Sequence, residues 1–168
     1  MNWVSHLILT WVLFGFYTHF VQIDHLYFSF VIANLGCLIV DIDSKTSFVS
    51  NRIRYPSFLI RLFVKHRGIF HSIWIPVLIY LFYWNQFFIP SIIFKSYFSF
   101  LNGFEFIFFF LIFGYLSHLI GDSLTIMGIR PVPPLDIKLN GPIKTGSFSE
   151  FFFIFLIILF YLFWRAYL

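Results

Sequence analysis

Five apolar runs, at residues 4–21, 26–40, 69–89, 104–127 and 148–167, make up most of this chain. A domain in water would have to bury all of them in one core. With 168 residues that are 60% hydrophobic and 11% charged, there is too little polar surface to cover such a core. A helix rising about 1.5 Å per residue needs about 20 residues to cross a hydrocarbon layer of about 30 Å. Four of the runs reach that length, and the shorter run at 26–40 reads as a tight span or a re-entrant helix. The expected fold is all-α: an integral membrane bundle of about five transmembrane helices, forming a single transmembrane domain over residues 1–168.

The connections carry the charge. Residues 44–68 hold Lys45, Arg52, Arg54, Arg61, Lys65 and Arg67 with no acid. Phe48, Ile53, Phe58, Leu59, Leu62 and Phe63 are interleaved among them, the pattern of a basic amphipathic segment lying on a membrane surface. Residues 128–147 are rich in Pro and Gly, hence a loop, with Arg130, Lys138 and Lys144. Five spans place both basic connections on one side, which the positive-inside rule assigns to the cytoplasm. The N-terminus and this layer are therefore expected inside. The net charge of +4 reflects that orientation and an attraction to anionic headgroups, and nothing in it points to nucleic acid. The N-terminal segment lacks the basic start and small-residue cleavage site of a signal peptide and reads as a retained helix. Cys37 is the single cysteine, so an internal disulfide is excluded.

Polar residues sit at the ends of the runs. His6 begins the first, Asp41 and Asp43 end the second, His66 and His71 open the third, His118 and Asp122 close the fourth, and Glu150 starts the fifth. Ionisable groups are costly at such depths and face a bundle interior when they occur. All of these residues fall at the side assigned to the cytoplasm, so a shared layer is expected. His19, Asp24 and His25 lie toward the opposite face and read as a structural polar turn.

Spacing refines the expectation. His118 and Asp122 are four residues apart and share a helical face, as a metal pair requires. Asp41 and Asp43, two apart, converge only if the helix stops there. His66 and His71 diverge on a continuous helix, so Gly68 is the expected break, with His71 in the first helical turn. Imidazole and carboxylate ligands suit zinc, manganese or iron better than calcium. The metal ligands expected are His6, Asp41, Asp43, His66, His71, His118 and Asp122, enough for two divalent ions bridged by an aspartate. Asp43 and Glu150 are candidate general bases, although Glu150 also fits a helix cap. Arg67, with Lys65 or Lys144, is placed to hold a phosphate oxygen, or simply to anchor the chain at the interface.

Taken together, His6, "DID", "HRGIFHS", "GYLSHLIGDSLT", "GIRPVPP" and "IKTGSFSE" resemble the YdjM-type family of small inner-membrane proteins, described as membrane-bound metal-dependent hydrolases. "HRGIFHS" and "HLIGDSLT" are the most specific parts; the family's aspartate motif follows a proline, where this chain has Val40. The resemblance implies metal-dependent hydrolysis, and the headgroup depth of the layer suggests a lipid phosphoester as substrate, with residues 128–146 as a lid. The competing readings are a metal-ion transporter and a membrane scaffold fastened by metal without catalysis.

Overall fold

The computed structural model describes residues 1–23, 25–44, 47, 50, 52, 55, 57, 69–88 and 105–167. Among them the chain is all-helical apart from two isolated bridges. It contains α1 (Trp3–Phe20), α2 (Leu26–Ile39), α3 (Trp74–Phe88), α4 (Glu105–Ser123) and α5 (Phe148–Tyr167). Among the described residues, three segments are long and apolar enough to cross a bilayer: Leu26–Asp43, Phe106–Ser123 and Phe148–Tyr167. The second run therefore reaches spanning length once the 3-10 turn Val40–Asp43 is added to α2. The protein is a membrane helical bundle. Most of the basic segment expected on the surface, with His66 and Arg67, lies outside the described residues.

Two helix boundaries differ from the sequence expectation, each where a side-chain bond and a distant backbone partner replace the helical ladder. His71 is not in the first turn of α3; it ends a separate 3-10 turn, Ile69–His71. The Ser72 Oγ then accepts the Trp74 amide at 3.4 Å, and the Ile73 amide is drawn to the Pro131 carbonyl at 2.8 Å. A serine acceptor at that place is a helix N-cap, so α3 starts only beyond it. The fourth run stops at Ser123, four residues before the end of its apolar stretch. There Thr125 turns its hydroxyl back to the Asp122 carbonyl at 2.8 Å, and the Ile126 amide bonds Ile143 at 2.9 Å. Such side-chain bonds compete with the helical ladder and end it.

Within a bilayer the lipid tails are as apolar as leucine, so helices associate by close packing of small residues. α2 packs most extensively against α4. Ser29, Ala33 and Cys37 are fully buried along α2, with Ala33 and Cys37 against Gly114 of α4 and Cys37 also beside Ser117. A Cβ on Gly114 would overlap the Ala33 carbonyl oxygen, and one on Gly36 the Leu111 carbonyl oxygen. These glycines let the two backbones touch. α5 packs on α1, where Gly15 accommodates the Tyr161 ring and Phe16 meets Tyr161 edge-on and Phe160 and Trp164 at a tilt. One apolar cluster joins Phe14, Ala33 and Phe110 in mid-bundle. Another joins Val40, Tyr115, Leu119 and Ile129 just beneath the layer where α2 and α4 end.

Candidate metal centre

At one end of the bundle the chain enters α1, leaves α2 and α4, and enters α3 and α5. Each of these ends delivers a polar side chain to the same layer. His6, Asp43, His71, His118, Asp122 and Glu150 are all at most 3% exposed. The shared layer expected from sequence is therefore present for every candidate within the described residues.

Asp122 divides its oxygens between two sides. Oδ1 lies 3.2 Å from His6 Nε2 and accepts from the Met1 ammonium at 2.6 Å. Oδ2 lies 3.6 Å from His71 Nε2 and 3.9 Å from His118 Nε2. Asp41 Oδ1 faces the same two nitrogens, at 3.5 Å from His71 and 3.8 Å from His118. The 3-10 turn explains how two aspartates spaced by two both take part. They straddle one ring, with Asp41 on the Nε2 side and Asp43 Oδ2 at 3.8 Å from Nδ1.

These separations fit a cation. At 3.5 to 3.9 Å the nitrogen and oxygen atoms around His71 and His118 are too far apart for good hydrogen bonds. Tetrahedral ligands at about 2.0–2.2 Å from one ion stand about 3.3–3.6 Å from each other. His118 Nε2 is buried with no hydrogen-bond partner among the described residues. A donor atom kept dry and unbonded is costly unless something else engages it. Among the described residues, two groups of three bring ligand atoms within 4.8 Å of one another: Asp41 with His71 and His118, and His6 with His118 and Asp122. They share His118, and Asp122 reaches both sides, so they form one continuous site. The Asp41 side chain is 21% exposed while those of His71 and His118 are at most 2% exposed, so Asp41 forms the uncovered edge of the site.

The remaining candidates fall elsewhere. Asp43 is outside both ligand groups and flanks His71. Glu150 binds backbone: Oε1 accepts the Asn2 amide and Oε2 the Gly146 amide, both at 2.6 Å. It thus ties the starts of α1 and α5 together. Gly146 at φ 73° makes the turn that presents its amide, a conformation open to glycine. Arg67, His66 and Lys65 lie outside the described residues. On the opposite face, His19 Nδ1 accepts from the Arg165 guanidinium at 3.0 Å, and its ring meets Trp164 edge-on.

Several supporting residues were not picked out from the sequence. The Tyr115 hydroxyl donates to the Phe70 carbonyl and so ties the turn bearing His71 to α4. His6 and His118 stack with centroids 3.8 Å apart, and Gly121 leaves room for the His6 ring. Behind His118, Nδ1 lies 4.0 Å from Cys37 Sγ, and Thr10 and Ser117 share a hydrogen bond of 2.6 Å. The available signal was helical spacing: Thr10 is four residues after His6, and Tyr115 is three before His118 and seven before Asp122. Aliphatic neighbours hid it.

No curated protein and no solved structure matches the chain. A family model described as "YdjM inner membrane protein" matches residues 1–168, end to end with the bundle and its layer of histidines and aspartates, and the chain belongs to that family.

Proposed function

We propose that this protein is a membrane-embedded, metal-dependent phosphoesterase that hydrolyses a lipid phosphate or lipid headgroup at the cytoplasmic face of the inner membrane. The observation that supports it is the convergence of Asp41, His71, His118 and Asp122 at ligand spacing, in a dry layer at the end of membrane-crossing helices. Asp41, His71 and His118 would hold a first divalent ion, zinc by ligand type, and His6 with Asp122 would offer ligands to a second only in place of the Met1 ammonium on Asp122 Oδ1. A divalent cation there supplies Lewis acidity, which polarises a phosphoryl oxygen and eases deprotonation of water near neutral pH.

The chain's own groups carry the rest. Asp43 Oδ2 lies 3.8 Å from His71 Nδ1, beyond hydrogen-bond length but close enough for its charge to favour a proton on Nδ1 and so leave Nε2 for metal. Of the two candidate bases, Glu150 has both oxygens engaged by amides, so Asp43 is the better placed to move a proton. Asp41 forms the uncovered edge through which a headgroup enters while its tails stay in lipid. Lys144, and Arg67 and Lys65 from the basic segment, supply cations for phosphate oxygens. The basic connections assign this end and the N-terminus to the cytoplasm.

The near-complete burial of His71, His118 and Asp122 favours one competing reading, a metal that only fastens the helices. Metal content by mass spectrometry on detergent-purified protein, followed by assays on phospholipids and isoprenoid phosphates with and without chelator, separates the two. Wild type is expected to carry one or two equivalents of metal and to release product in a chelator-sensitive way. His118→Ala and Asp122→Ala should lose metal and turnover together. Full metal occupancy in both variants would refute the site, whereas bound metal with no turnover on any substrate would leave the fastening role.

A further inference from the structure

The connection between α4 and α5 carries a pattern that neither the helix packing nor the metal layer uses. From residue 135 to 140 it reads Leu, Asp, Ile, Lys, Leu, Asn, alternating apolar and polar. Leu139 exchanges both backbone hydrogen bonds with Ile129 at 2.9 Å, an antiparallel bridge. Residues opposite each other in such a pair project to the same side, and alternate residues along it to opposite sides. Ile129 projects into the core cluster with Val40, Tyr115 and Leu119. Leu139, and by alternation Ile137, are therefore on the same side as Ile129, while Asp136 and Lys138 are on the other, and Leu135 sits at the bend where the chain enters this stretch.

Yet the bundle does not cover the apolar residues. Leu135 is 55%, Ile137 53% and Leu139 47% exposed. These three apolar side chains therefore stand uncovered at the edge of the protein. The depth of the ribbon is set by α3: the Trp74 indole N–H donates to the Pro133 carbonyl at 2.7 Å, and the Ile73 amide to Pro131 at 2.8 Å. Trp at a helix end marks the membrane–water boundary. Residues 124–147 carry three cations, Arg130, Lys138 and Lys144, against the single acid Asp136.

We propose that residues 135–139 form an amphipathic ribbon that seats Leu135, Ile137 and Leu139 in the headgroup layer around the protein, where Lys138 and Lys144 select anionic lipid. Charge favours this occupant over a second copy of the chain, whose matching ribbon would be equally cationic. Three half-exposed side chains also fall well short of the roughly 800 Å² per partner that stable protein interfaces bury. At the lipid boundary, by contrast, apolar area and basic residues add their contributions.

Spin labels on single cysteines test it. Leu135→Cys, Asp136→Cys, Ile137→Cys, Lys138→Cys and Leu139→Cys are each introduced into the full chain and reconstituted in nanodiscs of phosphatidylcholine with or without phosphatidylglycerol. Cys37 is buried and stays in place, the unsubstituted protein giving the background. Labels at 135, 137 and 139 should collide mainly with lipid-soluble oxygen, and those at 136 and 138 with a water-soluble nickel chelate. This contrast should increase several-fold with phosphatidylglycerol. Uniform chelate access at all five positions, an alternation indifferent to anionic lipid, or spin–spin broadening that vanishes on dilution with unlabelled protein would each overturn the proposal, the last by identifying a second copy as occupant. Because no turnover is read, failure of the hydrolase reading leaves this result standing, and the converse holds.

Discussion

His71 is the residue on which the site turns, because both of its nitrogens face carboxylates, Asp41 on one side and Asp43 on the other. A carboxylate on the far side of a metal-binding histidine favours the proton on that side and raises the basicity of the other nitrogen, and Asp43 is buried next to His71 Nδ1. Asp43→Asn keeps the volume but removes the charge that orients the ring. Outer-shell changes of this kind weaken metal binding by about 10–100-fold. Competition with a chromophoric chelator should show a loss in that range for Asp43→Asn; unchanged affinity would make Asp43 a bystander. The pairing of His118 with Asp122 was legible at this scale because a four-residue spacing fixes a shared face. The placement of Cys37 behind His118 was not, since it depends on which helix lies opposite.

Among the elements, α2 and α4 decide whether the ligands meet. Asp41 arrives at the end of α2, and His118 and Asp122 near the end of α4, so the distance between these helices sets the distance across the site. That distance is short because Gly36 and Gly114 bring backbone against backbone. A methyl at Gly114 meets the Ala33 carbonyl, which belongs to a helix and cannot swing aside as a side chain would. Overpacking of this kind costs about 1–3 kcal/mol and sometimes more. Gly114→Ala should accordingly lower the thermal midpoint followed by tryptophan fluorescence in detergent, and should weaken metal binding although no ligand is changed. The sequence marked these runs as helices through length and apolarity. It did not show their pairing, because in lipid every apolar face is acceptable and only small residues at matched heights select a partner.

For the whole molecule, the cost of gathering Asp41, Asp43 and Asp122 within the bundle has to be offset. Buried charges persist where they are paired or bind metal. The Met1 ammonium meets one oxygen of Asp122, and a divalent cation would serve the others. A ligand bound only by the folded state, at about 100 times its dissociation constant, adds about 2.7 kcal/mol of stability. Stripping with chelator is expected to lower the midpoint of thermal unfolding, and added zinc to restore it. A midpoint indifferent to both would show that metal does not hold this fold together. The sequence by itself determined the membrane class, the approximate limits of the five helices named above, and that histidines and acids sit at one end of them, because hydrophobic length and helical period are local properties. Only the tertiary structure decided that His71 leaves α3 for its own turn, that Glu150 is taken up by the backbone of Asn2 and Gly146, and that Asp122 serves two sides at once. Each of those outcomes depends on a partner more than fifty residues away in the chain, and such partners are chosen by packing, which no single segment encodes.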